Sequence, residues 1–173
     1  MGSLVGSRVE RKEDKRFLTG KGRYTADINI TNQTYAVFVR SPHARAKIKK
    51  VNFSKASKAP GVVSILTGAD IVNDKIGGLI AGWKIVSEDG SDMKVPAHPP
   101  LASDTVNYVG DHVAVVIAES LDEAKAAANL VEVDYKVLQA VTSTADAMKS
   151  EKIYNDIDKN LCFDWLLGDR AKV

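Results

Sequence analysis

The apolar residues of this chain fall into short runs that favour strands over long helices. Thr34–Arg40 is dense in β-branched and aromatic residues and stops at Pro42. Val62–Leu66 is a second short run, and His112–Ala118 is apolar after its first residue, which is typical of a buried strand. Val131–Tyr135 alternates apolar and polar residues, so it predicts a half-exposed strand.

The strand that follows the first one changes the phase of its alternation. Ala46 and Ile48 are apolar on one phase, whereas Val51 and Phe53 are apolar on the other. Because strand side chains point to opposite faces in turn, a strand changes face only through an extra residue. We therefore predict a bulge or bend at Lys49-Lys50.

The best helix signal begins at Ser120. Ser120-Leu121-Asp122-Glu123 has the form of a capping box, in which the serine and the glutamate satisfy free backbone donors. The apolar residues after it recur at helical spacing and form one stripe. They are Leu121, Ala124, Ala128 and Val131.

Shorter helical turns are predicted elsewhere, and together with the strands they set the fold class. The turns lie around Phe17-Leu18 and at Lys55–Ala59, Thr67–Asp70 and Thr144–Lys149. The order strand, helix, strand near residue 120 suggests a split βαβ unit, although the earlier strands look antiparallel. We predict an α+β fold with a mixed sheet and a few helices.

A chain of 173 residues has the length of one compact domain. Residues 1–23 are rich in charge and glycine and are predicted to form an arm. Residues 24–150 carry the strands and the main helix, and residues 151–173 look like a lead into a further domain. Residues 73–104 are rich in glycine and proline, and so long a loop usually serves a function or is covered by a partner.

Charge and hydropathy exclude several classes of protein. The net charge of +2 gives no field that favours nucleic acid, and the lysines around residues 47–58 have only Phe53 among them for stacking on bases. The longest apolar run, Val113–Ala118, is far shorter than the roughly 20 residues of a membrane span. The amino terminus turns polar after Val5 and lacks a secretory apolar region. We expect a soluble, cytoplasmic protein without nucleic-acid binding.

The side chains that most often perform chemistry are scattered. Cys162 is the only cysteine, so no disulfide forms within the chain, and it is expected to be a small buried or half-buried apolar residue. His43, His98 and His112 lie in separate segments without the spacing of metal ligands. We assign no catalytic, cofactor-binding or metal-binding residue to this chain.

A set of collinear motifs resembles one enzyme family. They are Arg11–Asp14, Phe17–Tyr24, Arg40–Ala44, Pro60–Val63, Tyr108–Asp111, Val113–Val116 and Val131–Tyr135. This pattern resembles the amino-terminal region of the molybdopterin-binding large subunit of the xanthine dehydrogenase and aldehyde oxidase family. Gly82-Trp83, Asp89–Lys94 and His98-Pro99 are most similar to the carbon monoxide dehydrogenase type.

The resemblance implies that residues 24–150 are an α/β hammerhead domain. Such domains precede those that hold the molybdenum-pterin cofactor, and the family hydroxylates substrates with oxygen from water. Electrons then pass through iron-sulfur and flavin (FAD) subunits, so a hetero-oligomer is implied for the full-length enzyme. Cys162 is followed by Phe163-Asp164-Trp165, so it is not the copper-binding cysteine of the carbon monoxide enzymes. Arg45 stands where many relatives have a second histidine.

Three hypotheses follow from the sequence. The first is a scaffold part of a carbon monoxide dehydrogenase-type enzyme, inactive alone, in which residues 73–104 are covered by a partner. The second keeps the family and changes the substrate to an aldehyde or an N-heterocycle. The third is a free-standing binding module with the hammerhead fold, since a fold alone does not fix function.

Overall fold

The computed structural model describes residues 5–168 and residue 172 and shows an α+β fold, as predicted. The chain divides into two compact units, residues 1–33 and 34–173. Within the described part of the first unit, helix α1 (Asp14–Leu18) confirms the predicted short element. The Phe17 ring stacks on Tyr24, with centroids 5.6 Å apart. Residues 1–4 of the predicted arm and residues 169–171 and 173 of the predicted lead lie outside the described residues.

The described residues of the second unit form six strands in two antiparallel sheets. The strands are β1 (Tyr35–Arg40), β2 (Ala46–Asn52), β3 (Val62–Thr67), β4 (Thr105–Val106), β5 (His112–Ala118) and β6 (Glu132–Val137). The helices are α2 (Gly68–Asn73), α3 (Leu121–Ala128) and α4 (Thr144–Ala147), with 3-10 turns at Ala56–Lys58 and Asp158–Asn160. Within residues 5–168, no helix has the length and apolar character to cross a bilayer.

The first sheet has the order β1-β5-β3, so β5 pairs on both of its edges. Val113, Ala114, Val115 and Val116 are all buried, and consecutive strand residues point to opposite faces. Both faces of β5 are therefore covered, as its continuous apolar run predicted. Helix α3 contacts all strands of this sheet, and it buries Ala124 and other small residues.

The second sheet has the order β4-β2-β6. Its core joins Ala46, Val106 and Val113, so the first residues of β5 also pack against this sheet. The register of β2 against β6 shifts between Ile48 and Lys50, which confirms the predicted bulge. The shift lets residues on both sides of the bulge, including Ile48 and Val51, pack on the same core.

The predictions of a βαβ unit and of a mixed sheet are wrong, because both sheets are antiparallel and β5 and β6 lie in different sheets. Strand β6 pairs antiparallel with β2 and not with the sheet that contains β5, so α3 carries the chain from one sheet to the other. The physical reason is the alternation in β6. Its apolar residues Val133 and Tyr135 pack on the Ala46 and Val106 cluster of the second sheet.

The ends of two helices are fixed by side chains, as the sequence indicates. Ser120 Oγ accepts the Glu123 N–H at 3.2 Å, and its hydroxyl donates to the Glu123 carboxylate at 2.7 Å. At the start of α2, one carboxylate oxygen of Asp70 accepts the Thr67 N–H at 2.7 Å and the Thr67 hydroxyl at 2.8 Å. These bonds satisfy donors that a helix start leaves without intrahelical partners.

Two side chains clamp the irregular segment after β6. The Arg45 guanidinium donates to Gln139 O at 3.2 Å and to Lys152 O at 3.1 Å. Asn160 Nδ2 donates to Ala147 O at 2.9 Å and Glu151 O at 3.0 Å. Because this segment contains little regular structure, we infer that these side-chain bonds hold its path across the domain.

Replacing Asp70 should destabilise the domain in a pH-dependent way. Hydrogen bonds from the Thr67 N–H, and next from its hydroxyl, hold the pKa of Asp70 below its usual value. A lowered pKa in the folded state means that this stabilisation is complete above about pH 4, the unfolded value, and is lost as the pH falls further. We expect Asp70→Asn to lower the free energy of unfolding by about 0.5 kcal/mol at pH 7, because asparagine can still accept these bonds but loses the negative charge at the helix start.

The measurement is urea denaturation of the two proteins at pH 7 and pH 3. The difference between wild type and Asp70→Asn should shrink at pH 3. The control is Asp156→Asn, because Asp156 is exposed. An equal difference at both pH values would contradict the account of the Thr67–Asp70 cap.

Replacing Arg45 should loosen the segment that it holds. Arg45→Met keeps an apolar stem but removes the donors to Gln139 O and Lys152 O. Hydrogen bonds from a charged donor contribute about 1.5–3 kcal/mol. We therefore expect faster chymotrypsin cleavage at Leu138 and Tyr154 than in the wild type. Lys136→Met is the control, since Lys136 is exposed on β6, and equal cleavage rates in all three proteins would refute the clamp.

Candidate functional site

Two corners of the second unit are joined by a reciprocal pair of backbone hydrogen bonds. The Ser41 N–H donates to Asp111 O at 2.8 Å, and the Gly110 N–H donates to Ser41 O at 2.8 Å. Ser41 follows β1, and Asp111 precedes β5, so these bonds continue the pairing of the two strands. Ser41 is only 2% exposed.

The turn before β5 has a conformation that requires glycine. Gly110 has a φ of 94°, in the left-handed region that side-chain-bearing residues rarely adopt. The Asp111 side chain folds back over this turn, and its Oδ2 accepts the Asn107 N–H at 3.0 Å. This bond fixes the Asp111 side chain against the turn, and the residue as a whole is 6% exposed.

The other corner is held by Ser41. Its hydroxyl accepts the His43 N–H and donates to His43 O, both at 3.0 Å. The His43 ring then meets Tyr135 edge-on, with centroids 5.0 Å apart. The Tyr135 hydroxyl is buried and makes no hydrogen bond within residues 5–168 and 172. His43 therefore packs as a structural residue of the corner.

Phenol groups gather around the Asp111 carboxylate. Burial raises the pKa of Tyr108, Tyr135 and Tyr154, and the negative charge of Asp111 raises each pKa further. A charge acts on neighbours in this way only over short distances in a protein interior. These tyrosines therefore remain protonated at neutral pH, and Tyr108 and Tyr154 line the same groove as Asp111.

A groove of about 310 Å³ opens over this turn. One wall is apolar and includes Leu79, Ile80 and Val95 from the long segment 73–104. The rest of the lining is polar or aromatic and includes Asn107, Asp111, His98, Tyr108 and Tyr154. His98 Nε2 lies 3.2 Å from Tyr108 Oη.

The histidines stay apart in the structure. His43 packs against Tyr135, His98 against Tyr108, and His112 stacks on Phe38 with centroids 4.3 Å apart. Among the residues that the structure describes, no group of three His, Cys, Asp or Glu side chains is placed to hold a metal ion.

Cys162 lies in a separate cleft and is half-buried, as the sequence predicted. The Cys162 backbone carbonyl accepts the Lys94 N–H at 2.9 Å. This bond joins the segment around Cys162 to the turn around Gly90, where Val86 and Asp92 form an antiparallel bridge. The cleft is lined by Ser87, Glu88, Asp89, Ser91, Lys94, Leu161, Phe163 and Asp164 as well as Cys162. This lining supplies no imidazole base to the thiol.

Ser41 and Asp111, the buried polar residues of the two corners, are engaged by bonds within those corners. A nucleophile needs a neighbouring base and a stabilised position for the reacting atom. Ser41 instead bonds to its own corner, and Asp111 bonds to its own turn. Sequence reasoning missed the roles of Asn107, Asp111 and Tyr154. The one available signal was the polar Asp111 placed directly before an apolar strand.

Comparisons with known proteins identify the family to which this fold belongs. Residues 19–139 match the family described as aldehyde oxidase and xanthine dehydrogenase, a/b hammerhead domain. The large subunit of nicotine 6-hydroxylase from Paenarthrobacter nicotinovorans is 38% identical over 88% of this chain and 18% of its own length. The large chain of carbon monoxide dehydrogenase from Afipia carboxidovorans is 34% identical over 96% of this chain and 21% of its own length.

A solved structure agrees with these relatives. The crystal structure of quinoline 2-oxidoreductase from Pseudomonas putida 86 is 36% identical, with a TM-score of 0.74 over 87% of this chain and 18% of the solved chain. The chain thus spans about a fifth of the length of the relatives that it matches. With the matching residues, the two antiparallel sheets and the covering helix in place, the chain belongs to the aldehyde oxidase and xanthine dehydrogenase family and carries its α/β hammerhead domain.

Proposed function

We propose that this chain is the hammerhead part of the large subunit of a cytoplasmic molybdenum hydroxylase and acts as a contact module. The observation that carries the proposal is the family match over residues 19–139 in a chain that spans about a fifth of its relatives. In this proposal residues 1–23 form an arm, residues 24–150 form the hammerhead domain, and residues 151–173 lead to the cofactor domains.

The exposed apolar residues of segment 73–104 support a role in contact. Ile80 is 93% exposed and Trp83 is 82% exposed. Other large apolar side chains of the same segment are also exposed, namely Ile76, Leu79, Val86 and Val95. Exposed apolar groups of this size mark surfaces that another protein surface covers. We propose that other domains of the same subunit cover this segment.

The described residues do not fit a molybdenum-pterin site. They contain no convergent group of metal-binding side chains, and the His98 and Asp111 side chains of the groove already bond within the domain. We therefore propose that the cofactor is held by other domains of the subunit. Iron-sulfur and FAD subunits would complete a hetero-oligomer, and we derive no reaction step through residues of this chain.

Two substrate classes have support. The motif around Gly82-Trp83, Asp89–Lys94 and His98-Pro99 resembles the carbon monoxide dehydrogenase type, and the carbon monoxide enzyme is 34% identical. The second candidate is an N-heterocycle. It is favoured by the 38% identity to nicotine 6-hydroxylase and the 36% identity to quinoline 2-oxidoreductase.

Activity of the full-length enzyme tests this proposal. The full-length subunit that carries this chain, assembled with its partner subunits, should contain molybdenum and reduce an artificial electron acceptor with either carbon monoxide or an N-heterocycle. Because the family takes its oxygen from water, product formed in ¹⁸O-labelled water should carry the label. Unlabelled product, or an assembled complex without molybdenum and without turnover, would contradict the proposal.

The matched control is the 173-residue chain alone. It should retain no molybdenum by elemental analysis and show no turnover under the same conditions. Stoichiometric molybdenum or turnover in the isolated chain would place the chemistry within these residues and would overturn the assignment as a contact module.

A further inference from the structure

Asp111 is a buried residue, and its carboxylate makes no ion pair among the residues that the structure describes. It is 6% exposed, and no lysine or arginine nitrogen lies within ion-pair distance of it within residues 5–168 and 172. Arg40 lies beside the same turn, but its Nη1 donates to Gly110 O at 3.2 Å and its side chain is exposed. The carboxylate accepts the Asn107 backbone N–H at 3.0 Å, and a hydrogen bond with Asp111 contributes to the raised pKa of Tyr108.

The Asp111 carboxylate carries acceptor positions that can take a further hydrogen bond. Buried charges in folded proteins are normally paired or fully hydrogen-bonded, because burial removes their hydration. Tyr108 and Tyr154 line the same groove and stay protonated, because their pKa values are raised, so they bring no opposite charge to Asp111. The turn is therefore complementary to a positive group.

The groove above Asp111 provides a second acceptor and an apolar rim. Asn107 Oδ1 is buried and has no hydrogen-bond partner among the described residues, and Asn107 lines the same groove as Asp111. Leu79 and Ile80 stand at the rim and are largely exposed. An ammonium or guanidinium group with an apolar stem matches both parts, since its head donates to the floor and its stem covers the rim.

We propose that this groove is the docking site for a lysine or arginine side chain of the molybdenum-binding domains of the same large subunit. Charge complementarity favours a basic side chain. The floor of the groove offers two acceptors, the Asp111 carboxylate and the Asn107 side-chain carbonyl, and an ammonium or guanidinium group can donate to both. The apolar rim selects a polypeptide segment, because a small hydrated cation would leave Leu79 and Ile80 exposed.

This inference rests on the proposed function, but different results would refute the docking site and the function. An active molybdenum enzyme in which the groove holds no basic side chain would refute only the docking site. A full-length protein without molybdenum or turnover in which the groove is filled as proposed would refute only the function.

The direct test is a structure of the full-length subunit in its assembled complex. We expect a lysine or arginine nitrogen, from a residue outside this chain but within the same subunit, within 4 Å of the Asp111 carboxylate. A groove filled by water, by a free organic cation, by Arg40, by a partner subunit or by a second copy of this chain would overturn the proposal.

A pair of variants tests the same contact in solution. In the full-length complex, Asp111→Asn should raise the amide exchange rate of peptides spanning residues 105–112 by roughly tenfold or more, because the docked charge loses its partner. In the 173-residue chain, the same change should not raise that rate, since asparagine still accepts the Asn107 N–H and the unpaired charge is removed. The control Asp122→Asn, at an exposed position of α3, should change neither rate. Equal effects of Asp111→Asn in both proteins would show a role within the domain only and would overturn the proposal.

Discussion

The fold depends on the burial of both faces and both edges of strand β5. Its edges are paired with β1 and β3, and its residues Val113 to Val116 are all buried. Each fully buried valine contributes about 1.5–3 kcal/mol relative to an exposed one. Because Val113 also belongs to the core of the second sheet, the same strand joins the two sheets through packing. No other described strand is covered on both faces along its length.

The functional surface follows from the way that this strand begins. The Gly110 turn and the Ser41 corner lie side by side because β1 and β5 are paired, and the reciprocal bonds between them extend that pairing. Asp111 is a buried residue of this turn, and the segment 73–104 supplies the wall opposite. A rigid scaffold thus presents a groove with one buried negative charge and an exposed apolar rim. That arrangement is the basis of the contact role that we propose for this domain.

Local patterns predicted most of the elements but little of the tertiary arrangement. Three features depend only on a few neighbouring residues, and the sequence predicted each of them. They are the apolar run of β5, the Ser120 cap and the bulge at Lys49-Lys50. The pairing of β6 with β2 depends on packing between distant segments, and adjacency along the chain suggested the wrong sheet. The setting of Asp111 was equally hidden, because Ser41, Leu79 and Tyr154 reach the same corner and groove from distant parts of the sequence.

Strand β5 is the element on which both sheets of the second unit pack. Amide hydrogen exchange of the 173-residue chain, read by mass spectrometry over peptides, tests it most directly. The amides of residues 113–118 should be the slowest to exchange, with rates set by global unfolding. Exchange in β5 as fast as that in residues 73–104 would contradict the account.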